Sequence, residues 1–127
     1  MNKFSERRLK ENEVIFQQAN KGVAEFVQEM SNEPNPVIRF YCECSNIDCR
    51  QRIPLRADEY TRLHKNRRQF IALNGHEMPE IEKIVHREPR FTVVEKIGEV
   101  PSPEDIDAIL PEVSQLVWRL FQSRKWC

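Results

Sequence analysis

At 127 residues the chain has room for one domain, whose folding removes about two thirds of the unfolded surface from water. Hydrophobic residues make up 39% and charged residues 31%, with 20 Lys and Arg against 20 Asp and Glu, which argues against wholesale disorder and against any global pull toward nucleic acid or membrane. No apolar run reaches the length of about 18 residues that a spanning helix needs, and the opening MNKFSERRLKENE lacks the apolar stretch of a signal peptide, so a cytoplasmic protein is expected.

From Ser5 to Met30 there is no Pro, and Val14, Ile15, Ala19, Val23, Phe26, Val27 and Met30 recur at helical spacing, which predicts a long amphipathic helix. Gly22 inside it costs about 1 kcal/mol relative to Ala, too little to end it. SNEPNP then stops the helix, because each Pro disfavours helical geometry in the residue before it and lacks an amide donor. Val37 to Cys44 and Arg50 to Leu55 read as two strands joined by the turn-forming Ser45 to Asp48, a β-hairpin with cysteines at its tip.

ADEYTRLHKN reads as a short helix with Tyr60 and Leu63 inward, and Gln69 to Leu73 as a third strand closed by an Asn74-Gly75 turn. Pro79, with Glu80 and Glu82 behind it and Ile81, Ile84 and Val85 on one side, predicts a helix to about His86. RFTVVEKI, between Pro89 and Gly98, is a partly buried strand. Ser102-Pro103-Glu104-Asp105 has the cap, Pro and acids of a helix start, and a last helix after Pro111 carries Val113, Leu116, Val117, Trp118, Leu120 and Phe121. The expected architecture is α+β: a single domain over 1–127, with a helix at 5–30, a core with a small mixed or antiparallel sheet at 37–98, and a helical extension at 102–125.

The chemistry concentrates in CECSNIDC. Cys42 and Cys44 are two apart, so on a strand they face the same way, and a tight turn returns Cys49 beside them. Three convergent thiols are the start of a tetrahedral zinc site, which needs a fourth ligand at about 2.1–2.3 Å. His76 is the expected fourth, since it follows a turn at a strand end. His64 and His86 fall within expected helices, and Asp48 and Cys127 are the other substitutes. The competing readings of the cysteines are small core residues without metal, a disulfide, and an iron–sulfur centre.

The strings FYCECSNIDCRQRIPLRADEY, RRQFIALNGHEMPEIEKIV and FTVVEKIGE, spanning about Asn12 to Glu99, resemble a family of small bacterial proteins with no established activity, marked by CxCx4C, then GHExPE, then VVEKxGE. The resemblance implies a bacterial origin and joint use of Cys42, Cys44, Cys49 and His76, and nothing about a substrate. The chain departs from that pattern at Arg56, where a Ser or Thr helix cap is expected, and in a longer extension from Val100 to Cys127.

Glu77, next to His76, has the chemistry of a general base for a metal-bound water, but four protein ligands would leave no open position, so hydrogen bonding of a ligand or of a helix start is its expected role. Arg50, Arg52, Lys65, Arg67 and Arg68 are basic in a stretch with few acids, a surface for phosphates or a partner protein, or a solvated face matched to the acidic half of the chain. Trp118, Leu120 and Phe121 give the last helix an apolar face wide enough for self-packing, a partner or a second copy. Together these features predict a non-catalytic, zinc-stabilised binding or regulatory module acting through protein contacts. Nucleic-acid binding through Arg50 to Arg68 is the alternative, and a zinc hydrolase is third.

Overall fold

A computed structural model describes residues 3–104, with side chains from residue 6 onward. The expected C-terminal helix, with Trp118, Leu120, Phe121 and Cys127, lies outside the described residues.

Helix α1 runs Lys3–Met30, as its apolar spacing predicts. Its middle is buried on every side: Glu13, Val14, Ile15, Phe16 and Gln17 are all inaccessible, which an amphipathic surface helix would not show. The apolar stripe ends before Met30, which is 72% exposed.

Strands β1 (Val37–Tyr41) and β2 (Arg52–Arg56) form an antiparallel pair, with Phe40 opposite Ile53 and Ile38 opposite Leu55, all four buried. Helix α2 (Ala57–Leu63) follows at once. Arg56 cannot cap it as a Ser would. Asn35 takes over, its Oδ1 accepting the Asp58 amide at 3.0 Å, while Glu59 Oε1 reaches back to the Arg56 amide at 3.4 Å.

Strand β3 (Gln69–Leu73) falls where expected and pairs antiparallel with β5 (Phe91–Lys96), which pairs on its other side with β4 (Glu82–Arg87). The second sheet therefore has the order β3-β5-β4, and both sheets are antiparallel. The α+β class holds.

The helix expected from Pro79 to His86 is not formed. Its start is real but lasts one turn, in which the Ile81 and Glu82 amides donate to Met78 O at 3.1 and 3.2 Å. The chain then extends into β4, where the β-branched Ile84 and Val85 suit a pleated edge and the ladder to β5 outweighs a two-turn helix. Ile84 and Val85 are each 46% exposed, so of the apolar side expected for a helix only Ile81 is buried. A bulge between Ile84 and His86 interrupts the edge. No helix among the described residues is long and apolar enough to cross a membrane.

Candidate metal centre

The hairpin tip supplies three candidate ligands. The ladder continues one step past β1, with the Cys42 amide donating to Gln51 O at 3.0 Å, and the thiols of Cys42 and Cys44, two residues apart, both reach the ligand cluster. Asn46 then turns it: its Oδ1 accepts the Asp48 amide and its carbonyl accepts the Cys49 amide, both at 3.0 Å. Helix α1 braces this turn through Asn12 Nδ2, which donates to Ser45 O at 2.7 Å.

The fourth ligand comes from the other sheet. After β3 the His76 amide closes a turn onto Leu73 O at 2.9 Å, with Gly75 at φ +92°, a value a type II turn requires and an L side chain resists. Asn74 is pinned beside it, accepting from Thr92 Oγ1 at 2.5 Å and donating to the Pro89 carbonyl at 3.0 Å.

These turns bring the Sγ atoms of Cys42, Cys44 and Cys49 and a ring nitrogen of His76 within 4.8 Å of one another. His76 Nδ1 lies 3.6 Å from Cys42 Sγ and 3.8 Å from Cys49 Sγ. Ligand bonds of about 2.1–2.3 Å around a tetrahedral ion imply edges of about 3.6–3.8 Å, so the residues present fit a four-coordinate metal. The cysteines are free thiols, exposed by only 1%, 1% and 7%, and His76 is half-buried.

The electrostatics already favour a thiolate. A hydrogen bond from Cys42 lowers the Cys44 thiol against the opposing effect of burial, with help from His76 and the Asn46 backbone. Cys42 is pushed up by giving that bond and by burial, and Cys49 is pushed up chiefly by burial. The Leu73 amide donates to Cys42 Sγ at 3.2 Å, a bond that suits a metal-bound sulfur. A metal taking all three sulfurs must displace the remaining thiol protons, so its binding is proton-linked.

The other sequence candidates lie elsewhere. His64 ends α2, and His86 stands on the exposed β4, bonded to Glu88 Oε1 at 2.7 Å. Asp48 is exposed and outside the ligand cluster. Glu77 turns back on its own loop: its Oε2 accepts the Gly75 amide at 2.9 Å and its Oε1 faces Arg87 at 3.4 Å. Bonds from its own amide and Gly75, with Arg87 beside it, hold its carboxyl below the usual range against a small effect of burial.

The basic residues divide into separate groups. Arg50 donates to the Ile47 and Cys49 carbonyls at the hairpin tip, and Arg52 donates to Arg39 O and lies 3.8 Å over the Tyr41 ring. Arg68 binds the Lys96 and Gly98 carbonyls and Arg67 reaches Val100 O at 3.5 Å, while Lys65 is exposed just past α2.

Sequence reading passed over Glu43, the residue between Cys42 and Cys44. Alternation turns it away from the thiols into the core, where it is fully buried. Its Oε2 accepts from Tyr60 Oη at 2.5 Å and Asn20 Nδ2 at 2.9 Å, and its Oε1 faces His64 Nε2 at 2.7 Å and the Ile71 amide at 3.0 Å. His64 Nδ1 faces Tyr60 O at 2.7 Å, so both ring nitrogens meet acceptors, an arrangement that favours the imidazolium. Burial alone would raise the Glu43 pKa, but the His64 charge and bonds from His64, Tyr60 and Asn20 hold it below the usual carboxylate range. Burial would lower the His64 pKa, and the same carboxylate raises it instead.

Against family models, curated proteins and solved structures alike, the chain gives no match.

Proposed function

We propose that the chain is a zinc-binding module in which one structural ion ties the hairpin tip to the end of β3, and that it works without catalysis, through contacts with a partner protein. The observation that carries the reading is the convergence of three thiols and one imidazole nitrogen, all within 4.8 Å of one another. Zinc is favoured by the donors: thiolate and imidazole in a tetrahedron suit zinc, whereas calcium and magnesium want oxygen. Four protein ligands leave no open position for substrate or water, and Glu77 is engaged with Gly75 and Arg87, which supports a structural over a hydrolytic ion. A reducing, cytoplasmic setting and the company of the small bacterial proteins whose pattern the chain resembles belong to the same reading.

Partner binding draws support from β4, an edge strand with Ile84 and Val85 outward. The phosphate-binding alternative has less, since Arg50, Arg52, Arg67 and Arg68 all donate to carbonyls of their own chain.

Elemental analysis of protein purified without added metal tests the centre. About one equivalent of zinc is expected, lost or loosened in Cys44→Ser and His76→Ala; wild-type protein free of metal, and unable to take it up, refutes the reading. Sedimentation of wild type and Ile84→Lys with co-purified material tests the contact surface, and a strictly monomeric, partner-free wild type argues against it.

A further inference from the structure

Glu43 does more than fill the core behind the thiols. Its own amide donates to Ile71 O at 2.8 Å, and the Ile71 amide donates to Glu43 Oε1 at 3.0 Å. The carboxylate thus stands where a backbone carbonyl of a paired strand would stand, and the two bonds clamp the cysteine segment that follows β1 to the edge of β3. Two residues further along β3, Leu73 gives its amide to Cys42 Sγ and its carbonyl to the turn that ends at His76. The alignment chosen at Glu43 and Ile71 is therefore the alignment that delivers His76 to Cys42 and Cys49.

The magnitudes make this alignment decisive. A slip of one residue along a strand moves the chain by about 3.3 Å and turns each side chain to the opposite face. Ligand distances in a metal site tolerate departures of about 0.2 Å. Hydrophobic packing alone discriminates poorly here, because Phe70, Ile71 and Ala72 are all fully buried, so β3 has no polar face to mark its register. Tyr60, His64 and Asn20 fix the carboxylate itself, which keys the alignment to both helices, and none of these bonds passes through a metal.

We infer that Glu43 is the positioning residue of the metal centre, setting the register between the cysteine segment and β3 so that the four ligands converge before the ion arrives. This rests on the metal-binding reading proposed above.

Cobalt(II) is the probe, since its visible bands report tetrahedral thiolate coordination. It is titrated into the reduced, metal-free full-length wild type, Glu43→Gln and Tyr60→Phe, after circular dichroism and amide NMR spectra of each without metal. The wild type is expected to be folded before metal is added. Glu43→Gln should bind cobalt about 10- to 100-fold more weakly, with bands shifted from the wild-type pattern, and Tyr60→Phe should show a smaller loss of the same kind. A purely structural role would lower stability and leave the affinity and spectrum of the folded protein unchanged, which would overturn the inference. An unfolded metal-free wild type would overturn it as well, because the ion would then be assembling the register. If Glu43→Gln does not fold, Tyr60→Phe decides, and wild-type affinity and bands in that variant count against the role. A wild type that takes up no cobalt refutes the metal reading and this inference with it; a wild type that binds, with variants that match it, refutes this inference alone.

Discussion

Two clusters of buried charge hold α1 in place, and they are built on opposite plans. Near Asn20, Glu43 meets one buried imidazolium and three further donors, and each oxygen has two partners. Two helical turns earlier, Glu13 and Glu82 share a single Lys96, whose Nζ lies 2.6 Å from Glu13 Oε1 and 2.5 Å from Glu82 Oε2 and 4.1 Å over the Phe70 ring. Glu82 is well served, since its other oxygen accepts the Met78 amide at 2.8 Å. Glu13 is not: Lys96 approaches it at ion-pair distance but off hydrogen-bond geometry, and both its oxygens lack a hydrogen-bond partner. Burial, partly offset by Lys96 and reinforced by Glu82, pushes the Glu13 carboxyl well above the usual range. One ammonium is shared by two carboxyls, and the one with fewer donors is the harder to ionise. Donors that saturate a buried carboxyl favour its ionised form, and burial without them favours the neutral one.

Glu43→Leu should have the largest effect. It strands the His64 charge and three donors, and should cost about 3–5 kcal/mol in urea unfolding of the chain. Lys96→Met is expected next, at about 3 kcal/mol, because it leaves the buried Glu13 and Glu82 carboxyls without their shared counter-charge, and Glu13, whose pKa is already raised, can meet the loss by taking a proton.

Glu13→Gln should have the smallest effect. As a mimic of the protonated acid it should shift stability near pH 5 by less than about 1 kcal/mol, where a similar swap at Glu43 removes a charge that four donors were built around. The pH profile separates the two clusters further. Glu43, with a lowered folded pKa, contributes stability above its unfolded value of about 4.3 that is lost as pH falls through the folded one. Glu13 and His64, with raised folded values, contribute stability that is full below their unfolded values of about 4.3 and 6.5 and is lost as pH rises through the folded ones. Denaturant midpoints between pH 3 and 9 should therefore fall at both ends, and Glu13→Gln should remove the decline that begins near pH 4.3, at most about 1.4 kcal/mol per pH unit, while leaving the decline above about 6.5. An unchanged slope in that variant would mean Glu13 is ionised after all.

Local pattern made much of this molecule legible. Alternation at Cys42 and Cys44, the return at Asn46 to Asp48, and the Asn74-Gly75 turn are short-range features, and together they bring His76 to the thiols. The same locality misled at Ile81, Ile84 and Val85, whose spacing fits a helix side as well as a strand with one buried end; pairing with β5, far along the chain, decided it. Charged residues were the larger blind spot. Glu13, Glu43, Glu82 and Lys96 look like surface residues in a chain rich in charge, and only their partners, contributed by other elements, make burial tolerable. Glu43 did leave a trace: a residue flanked by two inward thiols on an extended strand must face the other way, and a core waits there.

The clamp between Glu43 and Ile71 joins residues 28 apart, so it also sets an order of events in time. That loop must close before the clamp rewards it, and a refolding chain cannot present four ligands sooner. Metal added to the folded, metal-free protein should be captured as fast as ligand exchange allows. Added to the unfolded chain, it should be captured at the folding rate, independent of its concentration.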